Sequence, residues 1–152
     1  MRSAGDFDSY YKSPDPWGIG QALRRDRALG GIIRPYVAGK SVLELGCGEG
    51  HLTASVFRNA ARIKGIDISP IAISRANALS LPNASFQTSD FLDVSFAGYD
   101  VIAAIDAFIT SHQVSRKSFT KSLQATILAR LSSFQGQSSA RMNIGLISPM
   151  PA

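Results

Sequence analysis

Twelve residues constrain the fold of this 152-residue chain more than any others: Val42-Leu43-Glu44-Leu45-Gly46-Cys47-Gly48-Glu49-Gly50-His51-Leu52-Thr53. An apolar run carrying one carboxylate, then glycines at alternate positions, then a new apolar start, reads as a buried strand, a tight turn and the first turn of a helix. Glycines so spaced let the backbone turn sharply and let a ligand come close with no Cβ in the way. The helix start beside them offers N–H groups without intrahelical partners. Glu44, at the carboxyl end of the strand, opposes a phosphate and suits a ligand that carries positive charge.

A dinucleotide site would show G-x-G-x-x-G, the third glycine serving helix–strand packing. This chain has G-x-G-x-G at Gly46, Gly48 and Gly50. Downstream, Ala61-Arg62-Ile63-Lys64-Gly65-Ile66-Asp67-Ile68 reads as a second strand ending in an acid. Asp67 lies 23 residues beyond Glu44, about one βαβ step, where a carboxylate can accept both hydroxyls of a ribose. A cofactor with an ammonium, a sulfonium and a nucleoside fits these residues better than a dinucleotide. A nucleotide-dependent oxidoreductase is the minor alternative.

With these residues the chain resembles the class I S-adenosylmethionine-dependent methyltransferases, whose first motif has the form E/D-x-G-x-G-x-G. Gly65-Ile66-Asp67-Ile68-Ser69-Pro70, the helix Ile71–Ala76, Phe86-Gln87-Thr88-Ser89-Asp90-Phe91 and Tyr99–Asp106 resemble the later motifs in the right order. The series covers about residues 40–106. The segment Tyr10–Gly18, with Asp15-Pro16-Trp17, and the basic stretch Arg24-Arg25-Asp26-Arg27 are similar to the nodulation-S-type group. In that group such a segment and helix precede the core and cap the cofactor, and members methylate nitrogen on small molecules, including amino-sugar precursors of signalling oligosaccharides.

The resemblance implies S-adenosyl-L-methionine as cofactor and a small-molecule acceptor. It implies that Glu44 holds the methionine ammonium, directly or through water, that Gly46 and Gly48 admit the methionine portion, and that Gly50 completes the glycine set. Asp67 would bind the ribose, Ile68 would lie against the adenine, Asp90 would accept from its amino group and Phe91 would offer its backbone N–H. Trp17 would close the site and Arg27 would reach the cofactor carboxylate. On the acceptor side, Asp106 would orient or deprotonate an amine, with His112 in reach if the following loop folds back. Phe108-Ile109-Thr110-Ser111 stands where family members often hold aromatic residues.

Length leaves room for one domain. No apolar run approaches ~18 residues, and Met1–Asp6 is polar, so neither a membrane span nor a signal peptide is expected and the location is expected to be cytoplasmic. A single cysteine, Cys47, excludes an internal disulfide and a cysteine-based metal framework. It reads as a small side chain within the turn rather than a nucleophile. His51 and His112 form no metal-ligand spacing, and no metal is expected.

The net charge of +5 is unevenly placed. Residues 1–106 hold 11 basic and 11 acidic side chains, whereas residues 107–152 hold Arg116, Lys117, Lys121, Arg130 and Arg141, nine serines and no acid. The tail lacks the repeated interleaving of basic and aromatic residues of a single-strand platform, so nucleic acid is not an expected partner. It carries one helical pattern, Lys117 to Phe134, and one candidate fifth strand, Arg141 to Ser148. A class I sheet has seven strands, and 46 residues cannot supply the missing three with their helices. The tail is therefore read either as a shortened domain or as a truncated or frame-shifted remnant. On the second reading the chain is a catalytically incomplete cofactor-binding fragment; on either reading the poorly covered sheet edge invites self-association unless a partner protects it.

The expected architecture is α/β, a Rossmann-like three-layer sandwich on a mostly parallel sheet of order 3-2-1-4, C-terminally truncated. Residues 1–40 are expected to form a loop-like lid (1–17) and a helix from Gln21 that ends near Gly30-Gly31 or at Pro35. Residues 41–106 form the cofactor core and 107–152 the atypical tail. Core strands are placed at Ser41–Leu45, Arg62–Ile68, Ala84–Thr88 and Tyr99–Ile105, and helices at Gly50–Ala60 and Pro70–Leu79. Ligand is expected at the carboxyl ends of the first and fourth strands, where the order reverses.

Overall fold

The computed structural model describes residues 4–16, 18–21, 23–105 and 107. Four parallel strands form one sheet: β1 (Ser41–Leu45), β2 (Arg62–Asp67), β3 (Ala84–Thr88) and β4 (Val101–Ala103). Their spatial order is β3-β2-β1-β4, as the sequence predicts. In β1 the alternation of side chains separates two cores. Val42 joins Ile63, Val37, Leu52, Val56 and Phe57 on one face, while Leu43 and Leu45 join Ile66 and Phe96 on the other. With both faces covered, β1 is buried at every position, as a central parallel strand should be.

Three helices serve the first face: α2 (Leu23–Val37), α3 (His51–Ser55) and α4 (Pro70–Ala78). Val37 and Leu52 enter its core from α2 and α3. Helix α4 packs on β2 and β3. Ser69 caps α4, its hydroxyl accepting the Ala72 N–H at 3.2 Å, and Pro70 takes the first helical position. The opposite face is covered, among the described residues, by the segment from Phe91 to Tyr99. The second helical layer of a three-layer sandwich does not fall within the described residues, nor do the candidate helix and fifth strand of the tail.

Four local expectations need correction. The lid is not all loop: Ala4–Tyr10 forms helix α1. Seven residues are too few for an isolated helix, and tertiary contact with α4 supplies what propensity cannot. Helix α2 runs through Gly30-Gly31 and past Pro35 to Val37. Gly30 is used for its missing side chain, since a Cβ there would lie 2.6 Å from Arg34 Cζ. The Arg34 guanidinium thereby donates to the Ser55 carbonyl at 2.9 Å and ties α2 to α3. Helix α3 ends at Ser55, five residues short of expectation. Beyond it the Asn83 amide donates to the carbonyls of Arg58 (3.3 Å) and Ala60 (2.9 Å), holding that segment as turns leading into β2. Strand β4 is trimmed to three residues, Asp100 being occupied at the start of β1, where its carboxylate accepts from the Ser41 N–H (2.9 Å) and hydroxyl (2.8 Å).

Candidate functional site

The site lies where the chain leaves β1 and β2 at their carboxyl ends. Gly46, Gly48 and Gly50 all adopt positive φ (71°, 54° and 81°), which side chains other than glycine rarely tolerate. The turn spends its own N–H groups inside the protein. Gly46 and Cys47 both donate to the Ile66 carbonyl (2.8 and 3.0 Å), Gly50 donates to the Cys47 carbonyl (3.0 Å), and Gly48 donates to Asp67 Oδ2 (2.9 Å). A phosphate cradle needs such groups open toward the ligand. Here four are consumed and two carboxylates stand beside them.

Those carboxylates are Glu44 and Asp67. Glu44 shares the strand face of Val42, which turns it under α3, where the Thr53 hydroxyl donates to Oε2. Its side chain is buried, and that burial, offset in part by the Thr53 bond and reinforced by the Asp67 charge, pushes its pKa up to about 8. Asp67 ends β2. Oδ1 accepts the Ser69 N–H at 2.9 Å while Oδ2 holds Gly48, and burial raises its pKa despite these bonds. A carboxylate offers about four acceptor positions, so these backbone bonds leave Asp67 capacity for a ligand hydroxyl. Cys47 is buried and its thiol is pushed well above the ordinary value, first by burial and then by Glu44 and Asp67. It acts as a small packing group, as expected.

Ile68 and Asp90 sit half-buried at the same sheet edge. Pairing of Asp67 with Thr88 brings the end of β3, and with it Asp90, alongside the end of β2. Phe91 opens a short 3-10 turn and packs against the second core, so its ring is structural whatever its N–H does. Arg27 stands exposed on α2. Trp17, Asp106 and His112 lie outside the described residues.

The fastening of the N-terminal segment is not legible in the sequence. Tyr11 is buried, and its hydroxyl would lie 3.0 Å from a Cβ placed on Gly48, so this ring covers the glycine turn. Arg75 on α4 donates to the carbonyls of Tyr11 (2.9 Å) and Ser13 (3.1 Å) and pairs with Glu49. Glu49 accepts the Asp15 N–H at 2.7 Å, and Asp15 in turn caps the Ile19–Gln21 turn, accepting from Ile19 (2.7 Å) and Gly20 (3.0 Å). The Ser69 hydroxyl donates to Asp8 of α1. Asp8, Tyr11 and Asp15 thus anchor one strap across the ends of β1 and β2. An arginine partner for the buried Glu49 leaves no mark in a single sequence; the DPW segment and the basic stretch after it hint at a cap.

This fold and this turn are those of the methyltransferases: the chain belongs to the methyltransferase-domain family, whose model matches residues 42–127. A curated relative, a ubiquinone biosynthesis O-methyltransferase from Paraburkholderia phytofirmans, is 34% identical over 79 residues, covering 47% of this chain and 33% of that protein. The crystal structure of the N-methyltransferase NodS from Bradyrhizobium japonicum, in complex with S-adenosyl-L-homocysteine, matches with a TM-score of 0.57 at 26% identity, over 65% of this chain and 54% of that one. Magnesium protoporphyrin IX methyltransferase from Synechocystis, with the same ligand bound, shares the fold (TM-score 0.55, 19% identity, 81% and 67% covered). The chain therefore spans about a third to a half of the length of the first two relatives.

Proposed function

We propose that the protein binds S-adenosyl-L-methionine at the glycine turn and transfers its methyl group to a nitrogen of a small-molecule acceptor. The observation that carries this reading is the pairing of a turn that spends four of its N–H groups inside the protein with one buried carboxylate, Glu44, and one half-buried, Asp67. That donor set repels a pyrophosphate and favours a ligand offering a cation and a ribose, which disfavours the dinucleotide alternative. Glu44, behind the turn, is the group an ammonium would select in its ionised form, the cation offsetting the burial that otherwise keeps the side chain protonated. Asp67, prepositioned by Gly48 and Ser69, accepts from ribose hydroxyls, with Ile68 and Asp90 at the adenine end. When bound, the cofactor supplies a methyl group already activated by its sulfonium. What remains for the chain is to orient that group and exclude water, and positioning of this kind supplies much of a displacement's acceleration. The Tyr11 strap serves both ends.

The nitrogen preference rests on the likeness to NodS, and the O-methyltransferase relative makes oxygen the competing acceptor atom. Calorimetry with S-adenosyl-L-homocysteine, followed by methyl-transfer assays on matched amine and phenol panels, tests both levels. Failure of the folded protein to bind the cofactor product overturns the proposal. Binding without turnover on either panel instead supports a cofactor-binding part of a larger catalytic unit, a reading favoured by the share of its relatives' length that the chain spans.

A further inference from the structure

Beside the glycine turn, Asp15, Glu49 and His51 place one donor atom each within 4.8 Å of one another, and the cofactor reading uses none of them. We propose that these three side chains bind one divalent transition-metal cation of the zinc class, which staples the N-terminal strap to the glycine turn.

His51 Nε2 lies 3.2 Å from Glu49 Oε2 and 3.8 Å from Asp15 Oδ1. A ring N–H can therefore satisfy Glu49 but falls short of Asp15. Donors at 2.0–2.2 Å from a shared cation stand about 3.0–3.5 Å apart, so a small closing movement of Asp15 brings all three onto one ion. The oxygens are held in place by other bonds. Glu49 Oε2 accepts the Asp15 N–H, Oε1 is taken by Arg75, and Asp15 Oδ1 and Oδ2 accept from Ile19 and Gly20. Each of the two facing oxygens keeps one lone pair directed at the imidazole. Glu49 is buried while His51 and Asp15 are half-buried, which gives a rigid base and an open side for water ligands. One imidazole and two carboxylates make a mixed N/O set that favours Zn²⁺ over Mn²⁺ and both over Mg²⁺. With Arg75 neutralising one of the two acids, a dication leaves the cluster only singly positive.

Sequence spacing alone does not show the site, because Asp15 arrives from 34 residues away along the strap. The proposal stands independently of the cofactor reading, since neither its ligands nor its test involves S-adenosylmethionine.

The test titrates ZnCl2, MnCl2 and MgCl2 separately into the full chain by calorimetry, with proteolysis of the strap at Lys12 as the second readout. One Zn²⁺ per chain is expected, with weaker Mn²⁺ and undetectable Mg²⁺, and with cleavage after Lys12 slowed several-fold by Zn²⁺ and restored by chelator. His51→Ala and Asp15→Asn should each weaken Zn²⁺ by about tenfold or more, with folding checked by circular dichroism. Absence of Zn²⁺ binding at millimolar metal overturns the proposal, as does affinity unchanged in a folded His51→Ala variant. If that variant does not fold, Asp15→Asn and the wild-type cleavage rate decide it. Zinc binding with no change at Lys12 overturns the stapling.

Discussion

Asp67 Oδ2 accepts the N–H of Gly48 at 2.9 Å, so the acid that ends β2 is bonded to the turn that follows β1. Removing it has two effects that separate experimentally. Asp67→Ala leaves the part-buried N–H groups of Gly48 and Ser69 without their acceptor, at a cost of about 1–3 kcal/mol in urea denaturation. It also removes the ribose acceptor of the proposed site, so calorimetric affinity for S-adenosyl-L-homocysteine should fall by about tenfold or more. Asp67→Asn restores one acceptor oxygen and should recover part of each loss. Unchanged affinity in either folded variant contradicts the ribose role.

Glu44 makes stability depend on pH in a direction opposite to most carboxylates. Its folded pKa, about 8, lies above the ordinary 4.5, so the native state holds a proton that the unfolded chain has released. Stability contributed this way is present below the unfolded value and lost as pH rises toward 8. Glu44→Gln keeps an acceptor for Thr53 but carries no charge. The variant should lose less stability than the wild type between pH 5 and pH 8, by on the order of 4 kcal/mol at the upper end. Parallel urea-denaturation series check it; identical slopes would sink the assignment. Cofactor affinity in the wild type should rise over the same interval, because an ammonium selects the ionised carboxylate.

Arg75 holds the strap through three acceptors: Glu49 and the carbonyls of Tyr11 and Ser13. Arg75→Ala frees all three and leaves the buried Glu49 without its cation, a loss of about 2–4 kcal/mol. Because α4 and the turn are otherwise untouched, cleavage at Lys12 should accelerate more than global unfolding does. Arg75→Lys reaches one acceptor in place of three and should fall between. A strap no more cleavable in the alanine variant than in the wild type contradicts the clasp.

The elements that were legible in the sequence are those whose reasons are local. Ser41–Leu45 and Ala84–Thr88 are bounded to the residue by their apolar content and the flanking glycine or asparagine. Sheet order follows from the βα repeats, and the positions of Glu44 and Asp67 from the strands they close; Asp90 is singled out by the resemblance. What was missed depends on partners distant in sequence. Helix α1 forms because α4 receives it, α3 stops early because Asn83 takes the carbonyls beyond it, and α2 ignores its glycines because Arg34 folds over one of them. The Asp15–Glu49–His51 cluster has no spacing signal in the sequence, because the strap brings Asp15 to it.

Gly30 and Gly31 are adjacent in α2 yet should respond oppositely to alanine. A Cβ on Gly31 meets nothing within 4 Å, so Gly31→Ala gains the ordinary helix-interior benefit of about 0.5–1 kcal/mol, chiefly by restricting the unfolded chain. At Gly30 the same gain is opposed. The new methyl group would sit 2.6 Å from Arg34 Cζ and 2.7 Å from Nη2, so the guanidinium must swing away and give up its bond to the Ser55 carbonyl. Its Nε is already buried without a partner, and displacement changes that too. The lost bond, about 1 kcal/mol, cancels the helical gain and leaves Gly30→Ala near neutral or slightly destabilising. Thermal denaturation of the two variants side by side decides it. Equal stabilisation by both substitutions would show that Arg34 does not tie α2 to α3 in solution.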